Sequence, residues 1–499
     1  MKDNLKLIVK NAGISFGGQL GGTFFRTLYH LLIANLLGAA SYGLYSLGLS
    51  IVNVLTVLSI FGLNMTAVKY ISEYMEKKDL EKTEWVIRFS IFFVFFLSLI
   101  FAMLMFFSSR EVSIYIFKNK DLVGLLRLFS LVLVFQAMLI MIVSFFRGFK
   151  ELKYSAFLKD ILQPISSLGL FLFLYYLGFG LYSAVYAFLF STLISVFIGF
   201  YLLNYRLNIK VFLKKVKGDG KELLKFSFPI LLLYFTVMIL NKTDIIMLGY
   251  FKTSKSVGIY SFVYRISYLL FLFWFSFNSI FSPVLSSLFV KKEFVEADKL
   301  FKIVSRWIFT LTLPFSVFFI VNSDIILGVF KKEYRQGMVI LIIFSIIWLI
   351  LSFSGSVGNV LIMLGKREKE LLFSVPMVLI NIVLNYLLIP KYGIVGACIS
   401  TGVSLIGFNF IKMFYIKSVV GIFPLDREYL KPILSLIFPL AFIVIFKNFI
   451  YLLKAPFFFL VTAIFIELAL YFLFLIIFKL PKEDQFVFHA IKGRIFGGS

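Results

Sequence analysis

Histidine, cysteine and acidic residues are scarce in this chain. It has two histidines, His30 and His489, one cysteine, Cys398, and 25 Asp and Glu against 50 Lys and Arg. Two distant histidines leave little room for imidazole acid–base chemistry or for a His-built metal site. A single cysteine excludes an internal disulfide, and Cys398, inside an apolar run, reads as a small packing residue. No Walker-type glycine loop, metal-ligand cluster or nucleophile motif is present. The short external segments between apolar runs lack the paired acids, of the Asp-x-Asp kind, expected of a membrane glycosyltransferase. These absences argue against an enzyme.

What the chain has is apolar surface. Apolar residues make up 61% of its 499 positions, 66 of them Phe, and mean hydropathy is +0.99. Runs of roughly 18 or more apolar residues recur along the whole length, each long enough to cross a bilayer. About fourteen such spans can be marked, from about 11–36 to about 456–478, and no soluble domain fits between them. The first lacks a small-residue cleavage site and is expected to stay as a transmembrane helix. The fold class expected is therefore an all-α integral membrane protein. Net charge is +25. With the N-terminus placed in the cytoplasm, most Lys and Arg fall at cytoplasmic ends, which is the positive-inside pattern. An even span count then puts both termini in the cytoplasm. The basic surplus reads as topology with some attraction to anionic lipid heads, and not as a nucleic-acid surface.

The spans repeat. Gly43-Leu44-Tyr45-Ser46 returns as Gly258-Ile259-Tyr260-Ser261, and Gly180-Leu181-Tyr182-Ser183-Ala184 has a counterpart in Gly393-Ile394-Val395-Gly396-Ala397. Internal repeats are the ground plan of transporters, with the substrate site between the copies. The expected organisation is two pseudo-symmetric six-helix lobes plus two extra helices. The N-lobe is 1–205, a basic cytoplasmic linker 206–225, and the C-lobe 226–420. Two more spans occupy 421–480, and 481–499 is a cytoplasmic tail ending in the disordered-looking Gly497-Gly498-Ser499.

Ionisable residues inside spans mark functional sites by default. On the first span Gln19, Thr23, Arg26 and His30 share one helical face, beside glycines at 13, 17, 18, 21 and 22 whose spacing lets helices approach closely. Arg26 near mid-membrane costs at least about 2.5–3.5 kcal/mol on insertion scales, so this face should meet a wet cavity or an ion pair. Lys242 precedes Gly258 almost as Arg26 precedes Gly43, and Arg265 sits two turns into span eight. All three cations are expected in the outer half of the membrane, pointing into one cavity suited to a phosphate or pyrophosphate. Asn53, on span two, is a further candidate contact. Asp244 and Glu467 are the acidic candidates for coupling to H+ or Na+, structural pairing being the alternative for each. No cofactor or metal is expected.

The segments Asp244-Ile245-Ile246-Met247-Leu248-Gly249-Tyr250-Phe251 and Val257-Gly258-Ile259-Tyr260-Ser261 resemble spans 7–8 of polysaccharide flippases. Asn381 with Leu384 through Pro390-Lys391-Tyr392-Gly393 to Ala397 resembles their spans 11–12. Arg147-Gly148 followed by Tyr154 is similar to the segment before span 5. By these residues, in this order, the chain resembles O-antigen-type flippases of the multidrug/oligosaccharidyl-lipid/polysaccharide exporter superfamily over its whole length. The resemblance implies a V-shaped pair of lobes whose cavity accepts a polyprenyl-phosphate or -pyrophosphate glycan. It implies translocation from the cytoplasmic to the outer leaflet of the cell membrane by alternating access. In the related lipid II flippase cationic residues on helices 1, 2 and 8 line the cavity. Arg26 and Arg265 match two of these, and span two has no mid-span cation, a place Lys242 would fill. Implied partners are the lipid-linked glycan, membrane lipids, and the glycan polymerase and glycosyltransferases of the same pathway. The alternatives are a cation-coupled multidrug exporter of the same superfamily, which should prefer an acidic cavity, and a membrane glycosyltransferase or polymerase.

Overall fold

The computed structural model describes residues 21–207, 219–450 and 456–478. Every regular element among them is helical. Gln19, most of the basic linker, His489 and the tail lie outside the described residues. Twelve of the described helices are long and apolar enough to cross a membrane. One of these, Arg367–Val420, turns at Gly393 (φ 58°, ψ −131°) and so carries two of the spans read from the sequence. The described end of the first span is the helix 21–37.

The chain divides into two compact units, 1–262 and 263–499. The first holds α1 (21–37), α2 (Ala39–Ile60), α3 (Leu63–Glu76), α4 (Leu80–Phe107) and α5 (Leu122–Gly148). It continues with α6 (Leu152–Tyr176), α7 (Tyr182–Leu207), α8 (Gly220–Phe251) and most of α9 (Ser254–Ser267). Helix starts follow their caps: the Asp79 carboxylate accepts from the Lys82 amide and Asp219 from the Lys221 amide, filling orphan donors. The core is a layer of branched and aromatic side chains, among them Ile71, Ile87, Met141, Ile142 and Phe145, all fully buried. Helices α5, α6 and α7 are also joined by a polar seam. Gln163 donates to Thr192 Oγ1 at 2.9 Å and to Gln136 Oε1 at 3.3 Å, and Ser167 and Ser191 meet at 2.6 Å. Such bonds link helices where apolar burial alone gives no preference between neighbour and lipid.

The repeat glycines have a packing role. A Cβ on Gly43 would fall 1.8 Å from the Ser254 carbonyl oxygen, and one on Gly258 1.8 Å from that of Ala39. The two copies of Gly-x-Tyr-Ser therefore cross backbone to backbone, α2 on α9, with no room for a side chain at either glycine. The tyrosine of each copy then reaches the helix before it. Tyr45 packs edge-on to Tyr29 and His30, and Tyr260 donates to Asp244.

The second unit holds α10 (Phe271–Val290), α11 (Phe294–Val321), α12 (Ser323–Gly328), α13 (Met338–Ser354), α14 (Val357–Met363) and α15 (Arg367–Val420). It ends with α16 (Leu430–Ser435), α17 (Ile437–Ile450) and α18 (Pro456–Ile477). Three ion pairs join its elements. Arg306 donates to Asp426 at 2.8 Å, Lys412 to Glu370 at 2.5 Å and Lys447 to Asp324 at 2.7 Å. Burial pushes the Asp426 carboxyl above its ordinary range despite the opposing pull of Arg306. Helix α18 packs through a single stripe at every fourth residue: Phe459, Ala463, Glu467, Tyr471 and Leu475 are all buried.

Candidate functional site

Close approach of α1 and α6 starts the site. A Cβ on Gly22 would lie 2.5 Å from the Asp160 carbonyl oxygen, so glycine is needed where these helices touch. One turn on, Arg26 reaches over the same residue, and its Nη2 donates to Asp160 Oδ1 at 3.3 Å. The carboxylate side chain is 11% exposed and the guanidinium side chain 34%. Asp160 stands on a π-helical turn, Phe157–Leu162. Such a turn holds one extra residue, shifts the facing of the side chains it carries, and occurs often at functional sites.

Lys159 shares that turn. It is half-buried, within electrostatic reach of Arg147, Asp160 and Arg26, and makes no hydrogen bond or ion pair among the described residues. Arg147 ends α5, where its Nε donates to Ser155 Oγ at 3.1 Å. Tyr234 on α8 lies within reach of Arg147. Arg26, from α1, and Arg147, from α5, thus both lie within electrostatic reach of Lys159 on α6, with Asp160 paired to Arg26. Crowding like charges in a low-dielectric interior costs free energy. An anion placed among them removes that cost, and a phosphate matches the fork geometry of arginine.

Of the predicted cations, Arg26, on α1, belongs to this cluster. Asp160 lies eight residues after Leu152, about 12 Å along the helix, and the ion pair fixes Arg26 at that level. Lys242 is eight residues beyond Tyr234, about 12 Å further along α8. Arg265 belongs to the second unit, half-buried and without an ion pair or hydrogen bond among the described residues.

Thr23 and Asn53 are half-buried on α1 and α2. His30 is buried among aromatic rings, its Nδ1 3.2 Å from the Tyr42 hydroxyl. Asp244 is buried, accepting from the Tyr260 hydroxyl at 2.5 Å. Glu467 is buried on α18. No group of three or more His, Cys, Asp or Glu suited to a metal occurs among the described residues. The sequence analysis names Arg147 only through the flippase-like Arg147-Gly148 segment, and Lys159 and Asp160 not at all. Two signals pointed to them: adjacent opposite charges within an apolar run, and the Arg147-Gly148 segment that resembles the flippases.

Fold and cluster define a multi-pass helical membrane protein with a partly buried cationic site. The chain belongs to the polysaccharide biosynthesis protein family, which matches residues 8–289. A second family, MatE, matches residues 229–387. Two relatives from Haloferax volcanii are described as a "probable low-salt glycan biosynthesis flippase" and a "probable flippase". They are 28% and 27% identical, over 36% and 32% of this chain and only 38% and 35% of their own lengths. An uncharacterised membrane protein of Methanocaldococcus jannaschii is 24% identical over 85% of this chain and 86% of its own. Among solved structures, the lipid II flippase in an inward closed conformation has a TM-score of 0.71 at 18% identity. It aligns with 94% of this chain and 98% of its own. An inward-facing multidrug resistance transporter scores 0.70 at 14% identity, over 82% of this chain and 98% of its own. These structures share the fold.

Proposed function

We propose that this protein is a transporter, and that it flips a polyprenyl-phosphate- or polyprenyl-pyrophosphate-linked oligosaccharide from the cytoplasmic to the outer leaflet by alternating access. The observation that carries the reading is that Arg26, Arg147 and Asp160 all lie within electrostatic reach of Lys159, with Asp160 paired to Arg26. A phosphate entering the cluster competes with Asp160 for Arg26, and Lys159 and Arg147 complete its contacts. If the turn after α5 is cytoplasmic, as the charge distribution predicts, the cluster lies on the inner side, where the substrate is made. Lys242, two to three turns further along α8, is the next cation on the outward path. The net positive cluster disfavours the cationic drugs of a multidrug exporter. Coupling to H+ or Na+ supplies the energy, and the glycosyltransferases and polymerase of the pathway supply and consume the lipid-linked glycan.

A charge swap tests it. Arg26→Asp combined with Asp160→Arg restores an ion pair between α1 and α6 but moves the cation. If Arg26 serves the substrate, the double variant reaches the membrane at normal levels and still fails to flip a fluorescent polyprenyl-pyrophosphate sugar in proteoliposomes. Full recovery of transport by the swap makes the pair structural and removes the phosphate site.

A further inference from the structure

Glu467 lies at the centre of the one buried stripe of α18 and is fully buried. Neither carboxyl oxygen has a hydrogen-bond partner among the described residues. An apolar side chain would suit that stripe better, since its neighbours at four-residue spacing are Ala463 and Tyr471 and the cluster beyond holds Phe309, Leu313 and Leu475. The nearest polar side chain on the helix is occupied. Tyr471 donates its hydroxyl to the Thr310 carbonyl at 3.0 Å. That carbonyl is free because Pro314, four residues on in α11, has no N–H to give it.

The charged groups on the helices packed against α18 are committed as well. Arg306 on α11 pairs with Asp426, Lys447 on α17 with Asp324 beside α12, and Lys431 on α16 with Glu428. Tyr429, which heads α16, packs on Phe309 and Phe353. No neighbouring charge among the described residues acts on Glu467. A carboxylate in such a place is far too costly to stay ionised. A sodium ion is no remedy, because a hard cation needs several oxygen ligands and Glu467 meets none.

We infer that Glu467 is a proton-binding site: the carboxyl holds its proton while α18 is packed on α11, and gives it up when the two helices part. On parting, the O–H bond breaks, the proton passes to entering water, and the carboxylate stays hydrated; repacking reverses the step. One proton is thus exchanged for each parting and repacking of α11 and α18.

Three measurements on the full chain in lipid test this; the first two do not depend on the cargo, and the third rests on the proposed flipping activity. Infrared difference spectra of wild type against Glu467→Leu should show a protonated-carboxyl band that shifts in D2O and is lost in the variant. Thermal stability of the wild type should fall as pH rises above the usual carboxylate range, because the folded state binds a proton that the unfolded state has released. Glu467→Leu should lose that slope and melt higher than wild type at neutral pH. In proteoliposomes Glu467→Gln, fixed in the neutral form, should flatten the pH profile of flipping. Absence of the band, a Glu467→Leu variant that melts lower at every pH, or a Glu467→Gln profile identical to wild type overturns the inference.

Discussion

Arg26 is costly to keep in a membrane unless something meets its charge. The structure pairs it with Asp160, and Lys159, itself within reach of Arg147, lies beside that pair. Lys159 is the sharper probe, because it makes no hydrogen bond among the described residues and its loss should leave the fold intact. Lys159→Met should weaken phosphate-dependent transport by about 1.5–3 kcal/mol, ten-fold or more in apparent affinity, with Lys159→Arg retaining most of it. The measurement is flipping rate against substrate concentration. A Met variant with unchanged concentration dependence would contradict the role.

At the scale of the element, two contacts explain why particular residues stand where they do. The Pro314–Thr310–Tyr471 arrangement repairs in one helix a hydrogen bond missing in another. Tyr471→Phe should cost about 1–3 kcal/mol by leaving the Thr310 carbonyl unpaired. In a Pro314→Ala background that carbonyl regains its helical partner, and the same change should cost much less. A double-mutant cycle on thermal stability reads the difference, and additive effects would show that the two are not coupled. The second contact is the crossing of α2 and α9. Gly43→Ala or Gly258→Ala forces a methyl into a carbonyl oxygen and should cost at least about 1–3 kcal/mol. Glycine to alanine at Gly407, where a Cβ meets nothing within 4 Å, is the control and should be near neutral or stabilising.

For the whole molecule, the expectation that charge sets orientation can be tested through Cys398, the single cysteine. With Cys398→Ser as background, new cysteines at Lys150 and Lys78, both in turns of positive φ, should react with an impermeant thiol reagent only from the cytoplasmic side. A cysteine at Gly178 should react only from outside. The opposite labelling would reverse the orientation and put the cationic cluster on the outer side, against loading from the inner leaflet.

The apolar spans, the repeat and the family resemblance were all legible in the chain. Each depends on local composition or on matching segments. Gly43 and Gly258 could be paired by sequence, but not shown to touch. Lys159 and Asp160 did not stand out in the chain, because a π-helical turn is set by packing and has no periodicity of its own. Glu467 stood out as a lone acid in an apolar helix, yet a lipid-facing or salt-bridged position would have had the same sequence. Composition and hydropathy decide that a chain enters a membrane and how often, since each span inserts largely on its own. Which cation pairs with a carboxylate, and which carboxyl has no partner, depends on contacts between helices far apart in the chain, and the tertiary structure alone decides those.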